Sequence, residues 1–500
     1  MTVKELKVPG ILLLSGAILP LALAPFSLWP LAVLSLLPLF IYLQNQSTKQ
    51  VLKYALCYGF GLYIAGASWV YISMYEHGGI SMGLAVLQTV MFCLFMACLF
   101  ALPFALVVLI PQTATSWLLG LPALWVLGEW FRGWILTGFP WLYLGYSQTD
   151  TWLSGWAPIG GVLLLSYFTA FGGVMMAQLL QRRNSIPLLL SGIAVVFAFV
   201  GGFFLQTISW TQATNTQLSV AMVQPDVDQK DKWAVPERDK VLRGLISQTE
   251  PYWGTDIIIW PEGAIPALSS QVKQFLYQLD QHADQNGTAL ITGIPTDNNP
   301  AKNFYNSMLV LGDGRGQYNK TRLVPFGEYV PFQSLIRGLN SFFDLPMSSF
   351  SLGTKNQLPL VAKQQPIATA ICYEIAYPDL VAKNVHNTNL ILTVSNDAWF
   401  GNSIAPQQHM QMARMRAIEN AKPMIRGTNN GITALVDERG KIYQQLPQFE
   451  KGVLTGYITP RTGSTPFSRL ASWPIVGLSL LVLLILISIK MRRLSKIDKR

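Results

Sequence analysis

Long apolar runs with few polar breaks fill the chain from Val8 to Ser209, and a last one runs from Trp473 to Ile489. A helix that crosses a bilayer needs about 20 mostly apolar residues. On that measure candidate spans fall near 8–25, 28–44, 54–75, 80–110, 116–131, 157–180, 187–208 and 473–490. The first two lie close together and contain Pro20 and Pro38; the fifth is short. The runs are continuous rather than alternating. They therefore predict helices, whose backbone groups are satisfied internally, and not a barrel. More spans follow the first run and no A-x-A-like site stands out, so it reads as a span and not as a cleaved signal.

Between Trp210 and Arg469 the pattern changes to short apolar runs separated by polar or helical stretches. Strands are expected at 218–223, 256–260, 289–294, 307–311, 366–371, 390–395 and 432–436, and helices at 236–250, 267–286, 375–385 and 406–421. Strands alternating with helices point to an α/β domain. Several strands are apolar throughout, as in a sheet covered on both faces. The Gly-rich GDGRG joins 307–311 to 317–320 as a hairpin; it lacks the strand-to-helix setting of a phosphate loop. The expected plan is a bundle of about seven helices in 1–209, an α/β domain in 210–470, and one helix with a basic tail in 471–500.

Charge sharpens this plan. Only 12% of the residues are charged, about half the usual share of a soluble protein. The shortage is local: Val8–Ser209 carries only Lys49, Lys53, Glu76, Glu129, Arg132, Asp150, Arg182 and Arg183. By the positive-inside rule, Lys4, Lys7, Lys49, Lys53, Arg182, Arg183 and the tail Lys490, Arg492, Arg493, Lys496, Lys499 and Arg500 belong in the cytoplasm. Seven spans then carry the 210–470 domain to the outer face. The net charge of +10 follows from this topology and from contact with anionic headgroups. The α/β domain has no basic-aromatic patch, which speaks against nucleic acid. Glu129 and Arg132, near span ends, read as snorkelling side chains, with mutual pairing or headgroup binding as the alternative.

Candidate chemistry gathers where strands end, a usual place for α/β sites. DIIIWPEG puts Glu262 beyond a buried strand, YNKTRLVPFGEYVP offers Lys320 and Glu328 in a loop, and PIATAICYE ends a strand at Cys372. Cys372 is the only cysteine of the α/β domain; Cys57, Cys93 and Cys98 lie in expected spans as small buried hydrophobes. A thiolate is a strong nucleophile, a carboxylate can take its proton, and an ammonium can steady an oxyanion. A helix start beside Cys372 would lower its thiol pKa. Histidine is the commoner base, yet none of His77, His282, His386 and His409 sits in a strand-end cluster or a metal pattern. Taken alone, Glu262 could be a turn residue, Lys320 a solvated hairpin residue and Cys372 a buried thiol.

WPEG, YNK followed by VPFGEYVP, ICYE and SNDAWFG together resemble the nitrilase superfamily. FFDLPMSSFS, QHMQMARMRAIEN and TNNGITA narrow the resemblance to its membrane-embedded branch, the apolipoprotein N-acyltransferases. The resemblance covers essentially the whole chain. It implies an αββα sandwich for the α/β domain, with Glu262 as base, Lys320 as second triad member and Cys372 as the acylated nucleophile. It further implies supporting roles for Glu328, Tyr373, Glu374, Trp233 and, less closely matched, Asn306.

The reaction implied moves a fatty acyl chain from a membrane phospholipid, through a Cys372 thioester, to the α-amino group of an S-diacylglyceryl-cysteine on an apolipoprotein. No cofactor or metal is implied, and a monomer in the bacterial inner membrane with its α/β domain in the periplasm is expected. Phe342, Phe343 and Phe350 are expected to line a lipid access route, or else to pack in a local core. The competing enzyme is a membrane-tethered amidase that uses water as acceptor; a catalytically dead sensor or transporter would not be expected to keep all three residues.

Overall fold

The computed structural model describes residues 3–181, 186–232, 235–298, 303–325, 327–329 and 350–497. Trp233, Phe342, Phe343, Arg182, Arg183, Lys499 and Arg500 lie outside the described residues. The chain forms two compact units. One comprises Met1–Tyr71, Met82–Ile208 and Leu470–Arg500; the other comprises Ile72–Ser81 and Ser209–Arg469.

The first unit is helical. Its helices include α1 (Val3–Ile18), α2 (Pro30–Tyr42), α3 (Thr48–Gly66), α4 (Met82–Phe104), α5 (Ala114–Arg132), α6 (Ala157–Leu180) and α7 (Ile186–Leu205), with a C-terminal helix Trp473–Ile497. Helices thus lie at all eight expected places. Among the described residues, those long and apolar enough to cross a membrane are fewer: Met82–Leu109, Trp152–Leu180, Ile186–Leu205 and Trp473–Lys496. Thr48–Gly66 with Val70–His77 makes a fifth if that pair, bent by 59°, is counted as one span.

Proline explains the short first pair. Pro20 sits in a 3₁₀ turn, Leu19–Ala22, that closes the first helix, and Pro30 opens the next at its first position, where a missing N–H costs nothing. In lipid, helices associate by close packing rather than by the hydrophobic effect. Gly16 and Gly61 allow this between α1 and α3. A methyl group at either would lie 1.9 Å from the carbonyl oxygen of Tyr58 or Leu13.

Glu129 and Arg132 do not snorkel. Both are buried in the first unit. The Glu129 carboxylate accepts from the Trp125 indole (2.8 Å) and the Leu144 N–H (2.6 Å). Arg132 donates to the Tyr63 hydroxyl and lies beside the rings of Tyr63, Phe100 and Tyr143. Each finds its partners inside the bundle.

The second unit is built on two stacked sheets. In chain order its strands are β1 (Thr211–Ala213), β2 (Leu218–Gln224), β3 (Ile257–Ile259), β4 (Ala289–Asn298), β5 (Asn303–Gly312), β6 (Gly314–Arg315), β7 (Gln317–Asn319), β8 (Leu360–Ala362), β9 (Gln365–Ile371), β10 (Leu390–Ser395), β11 (Met424–Thr428), β12 (Ala434–Val436), β13 (Ile442–Gln445), β14 (Gly452–Ile458) and β15 (Arg461–Gly463). Among the described residues one sheet runs β14-β2-β3-β4-β5-β7 and the other β13-β12-β11-β10-β9-β8-β6. Each has a parallel centre, β2-β3-β4 or β9-β10-β11, flanked by antiparallel strands. The expected hairpin forms, with Ser307 opposite Asn319. Between its arms, β6 crosses to pair with β8 of the other sheet.

Strand alternation decides the layers, because successive side chains point to opposite faces. Val220, Met222, Ile257 and Ile259 of the first sheet meet Ile367, Ile371, Leu390, Leu392 and Val394 of the second in a central core. On the outer face of the first sheet, Ala221, Val223 and Ile258 pack with Leu242 and Leu245 of helix α8 (Arg238–Thr249) and Leu279 of helix α9 (Lys273–Gln285). On the outer face of the second, Ala368, Ala370 and Ile391 pack with Val381 of helix α10 (Pro378–Asn384) and Met410, Ala413 and Ala417 of helix α11 (Ala405–Asn420). The result is four layers, αββα. Apolar residues on both faces of the central strands serve two cores at once.

Candidate active site

Four sequence segments converge at the ends of the central strands. After β3 the chain turns through Pro261 to Glu262. That turn lies against β4, where Gly293 leaves room: a methyl there would meet the Pro261 carbonyl oxygen at 2.4 Å and Glu262 Cα at 2.8 Å. The Trp260 indole, bonded to the Thr249 hydroxyl (2.9 Å), anchors the turn to helix α8.

Lys320 follows directly on β7. Its side chain is 1% exposed, and its ammonium donates to Glu262 (3.2 Å) and Glu328 (2.9 Å). The Asn306 amide, from β5, donates to the same two carboxylates at 2.8 and 2.9 Å. The second oxygen of Glu262 accepts from the Asn396 N–H just after β10 (2.9 Å), and that of Glu328 from the Val324 N–H (2.9 Å). Two anions thus share one cation and one neutral donor, so no charge in the ring is buried unpaired.

These contacts set the protonation states. Burial works to raise the Glu262 carboxyl, but Lys320, Asn306 and Lys232 together hold it below its usual range. Burial works to lower Lys320, and the two glutamates outweigh it, keeping the ammonium firmly charged.

Cys372 follows β9 in a left-handed conformation, φ 52°, as the first residue of the 3₁₀ turn Cys372–Ala376. Such a strained strand-to-helix turn pushes a nucleophile out from the sheet edge. The expectation of a depressed thiol pKa is overturned. Burial and then the Glu262 charge push the Cys372 thiol well up, with Lys320 pulling the other way. At rest the site pairs a neutral thiol with an ionised carboxylate.

Glu374 fastens the two loops together. Its carboxylate accepts from the Ile371 N–H (2.8 Å), the Thr321 N–H (2.7 Å) and hydroxyl (2.7 Å), the Arg322 N–H (3.2 Å) and the Tyr318 hydroxyl (3.1 Å). It joins the turn bearing Cys372 to the loop bearing Lys320. Tyr373 is buried with its ring edge-on to Tyr377. Phe350 donates its N–H to the Glu328 carbonyl (3.0 Å) and forms a bridge with Phe304. It therefore borders the Glu328 loop.

Two participants escaped the sequence reading. Lys232 is buried, donates to the Glu262 carbonyl oxygen (3.0 Å), and is lowered by burial to about 8. His409 reaches the Cys372 carbonyl oxygen (3.1 Å) from helix α11, thirty-seven residues away in sequence, so a histidine does join the strand-end cluster, contrary to the expectation from sequence. Neither follows a strand, and strand ends were the guide.

Sequence comparison places the chain in a family. A profile of the apolipoprotein N-acyltransferase N-terminal domain matches residues 15–175, and one of carbon-nitrogen hydrolases matches residues 219–467. The apolipoprotein N-acyltransferase of Azotobacter vinelandii is 45% identical over 494 residues, covering 95% of this chain and 94% of the relative. The chain belongs to the apolipoprotein N-acyltransferase family. The enzyme of the same name from Vibrio cholerae is 43% identical, covering 93% of this chain and 94% of its own. A nitrilase-superfamily protein of Saccharomyces cerevisiae matches in structure with a TM-score of 0.38 at 18% identity, over 50% of this chain and 93% of its own. As a member of the apolipoprotein N-acyltransferase family the chain is a membrane N-acyltransferase with a nitrilase-like domain.

Proposed function

We propose that this enzyme moves a fatty acyl chain from a phospholipid to the N-terminal cysteine amine of an apolipoprotein, through a thioester on Cys372. The observation that carries the proposal is the Glu262–Lys320–Glu328–Asn306 ring beside a buried thiol on a strained turn.

Glu262 is the general base, Cys372 the nucleophile and Lys320 the oxyanion stabiliser. As the sulfur attacks the ester carbonyl, the thiol proton passes to Glu262, which is already ionised. A proton held until attack keeps the thiol from reacting with anything else that enters. The oxyanion forms near the Lys320 ammonium. It collapses to a thioester, and Glu262 gives its proton to the departing alkoxide, releasing a lysophospholipid. The neutral amine of the acceptor then attacks the thioester. Glu262 takes a proton from the new C–N centre and returns it to the sulfur as the amide leaves. One carboxyl serving as base and then acid is ordinary.

Asn306 and Glu328 support this cycle by holding Glu262 and Lys320 in register, and Glu374 by fixing the two loops. Trp233, Phe342, Phe343 and Phe350 are proposed at the lipid access route. The membrane setting suits both substrates, because bringing an acyl chain into water costs about 0.8 kcal/mol per CH₂. The distribution of Lys and Arg supports a bacterial inner-membrane enzyme whose α/β domain, 210–470, faces the periplasm.

Intact mass of the purified protein after incubation with phospholipid tests the reading. The expected result is a fatty-acyl adduct on the wild type, absent from Cys372→Ala, and discharged by a diacylated lipopeptide with a free amine. An adduct that decays at one rate with or without the amine would instead make the enzyme a hydrolase.

A further inference from the structure

Behind Cys372 lies a buried polar cluster that the proposed cycle leaves unused. His409, Asp397 and Arg426 come from helix α11, the turn after β10, and β11, and all are at most 1% exposed. The Arg426 guanidinium donates to Asp397 (3.0 Å) and lies 3.1 Å from Nδ1 of His409. Asp397 also accepts from the Ser395 hydroxyl (2.5 Å), and Nδ1 of His409 is 3.2 Å from the same carboxylate. The other imidazole nitrogen, Nε2, faces the Cys372 carbonyl oxygen at 3.1 Å.

The partners decide the tautomer. A carbonyl oxygen only accepts, so Nε2 must carry a proton. Nδ1 lies between a guanidinium, which only donates, and the Asp397 carboxylate, which only accepts; burial and Arg426 outweigh Asp397 and leave Nδ1 bare. His409 is therefore a neutral imidazole aimed at the backbone of the nucleophile. Burial and Arg426 favour the neutral form, while Asp397 opposes them.

A trans peptide carries its C=O and N–H on opposite edges of one plane. A hand on the Cys372 carbonyl therefore also aims the Tyr373 N–H. On strand-to-helix turns of this type, the N–H following the nucleophile is an oxyanion donor. We infer that His409 is a positioning residue, which holds the Cys372–Tyr373 peptide so that the Tyr373 N–H faces the developing oxyanion opposite Lys320. The inference rests on the proposal that Cys372 is the acylated residue. His409 acts through the Cys372 carbonyl oxygen. Its partners Asp397 and Arg426 fix the ring, and the ring fixes the peptide at a residue whose φ of 52° would otherwise tend to relax.

The test separates oxyanion stabilisation from nucleophile integrity. Acylation by p-nitrophenyl butyrate needs the oxyanion donor; alkylation by iodoacetamide does not. In His409→Gln the side-chain amide nitrogen can reach the place of Nε2. In His409→Asn, one methylene shorter, it cannot, although both variants bury similar polarity. The full-length protein in detergent should acylate at least tenfold faster as the Gln than as the Asn variant. His409→Leu should lose roughly 100-fold in acylation, the cost of one oxyanion donor. Alkylation should stay within about twofold across the folded variants.

A parallel fall of acylation and alkylation, or equal acylation by Gln and Asn, overturns the inference while the wild-type adduct still stands. No wild-type adduct overturns the Cys372 reading and this inference with it. The wild type alone gives a check that does not depend on any variant folding. Labelled with ¹⁵N-histidine, its four histidines should include one neutral, Nε2-protonated ring that matches His409. An Nδ1-protonated or fully charged His409 overturns the inference.

Discussion

The two sheets of the α/β domain contribute to the candidate site in unlike ways. The first supplies side chains that bond one another: Glu262 after β3, Asn306 in β5 and Lys320 after β7. The second supplies the proposed nucleophile and the backbone that frames it: Cys372 after β9, the Asn396 N–H after β10, and the His409 contact to a carbonyl. The ions that bond Glu262 are gathered on one side, whereas the buried Arg426–Asp397 pair of the other sheet acts on the backbone through His409. Geometry is set on the other side, around a thiol that stays neutral. A buried ion needs a fixed counter-ion, whereas a neutral nucleophile needs only the right orientation.

The sharpest break of this contrast is Glu262→Gln. It keeps the shape of the side chain and removes the base, and general-base catalysis supplies about 10²–10⁴-fold. The rate of acyl adduct formation, followed by mass spectrometry, should fall in that range. A rate within a few-fold of wild type would mean that the charged side does not drive the proton transfer.

Lys320→Met attacks the same side through stability. It leaves two buried carboxylates without their cation, and losing one partner of a buried pair costs about 3–5 kcal/mol. Thermal unfolding should report a marked fall. In Lys320→Met/Glu328→Gln, which removes one of the stranded anions as well, part of the loss should return.

Gly293→Ala tests the backbone setting of Glu262. The added methyl meets main-chain atoms that cannot swing away. Overpacking of this kind costs about 1–3 kcal/mol, and the acylation rate should drop further than the stability alone explains. Unchanged kinetics would place the turn's register under other control.

Lys232→Met has the mildest expected effect. Lys232 helps hold the Glu262 carboxyl down, so its removal should let that carboxyl rise. Because the ionised form is the base, the acid limb of the acylation-rate profile should move to higher pH. The rate on the plateau should change little. An unmoved or lowered limb would exclude Lys232 from the electrostatics of the site.

Much of the second unit was legible in the chain. The runs LSVAMV, LILTVS and PIATAI are strands because apolar residues fall on both of their faces, and the structure gives each face its own core. Strand β11 was missed. Its sequence, MIRGT, carries a charge in the middle, yet Arg426 is fully buried because Asp397 meets it. Strand β14 was missed too: it pairs antiparallel at the edge of the first sheet, with Tyr457 largely exposed, so its pattern was weak. Eight apolar segments were legible as spans, the fifth as a short one, but Pro20 and Pro30 shorten the first two and the third is broken by a 59° bend.

The sequence by itself determined where the chain turns apolar, which strands are buried, and which carboxylate, amine and thiol follow strands. These are local properties, carried by neighbouring residues and their periodicity. Only the tertiary structure decided that Lys320 is shared by two glutamates, that the Cys372 thiol is held neutral, and that Lys232 and His409 stand beside the site. Hydrogen bonds, charge pairing and desolvation depend on distance in space, and residues such as 262 and 320, or 372 and 409, meet only once the sheets have stacked.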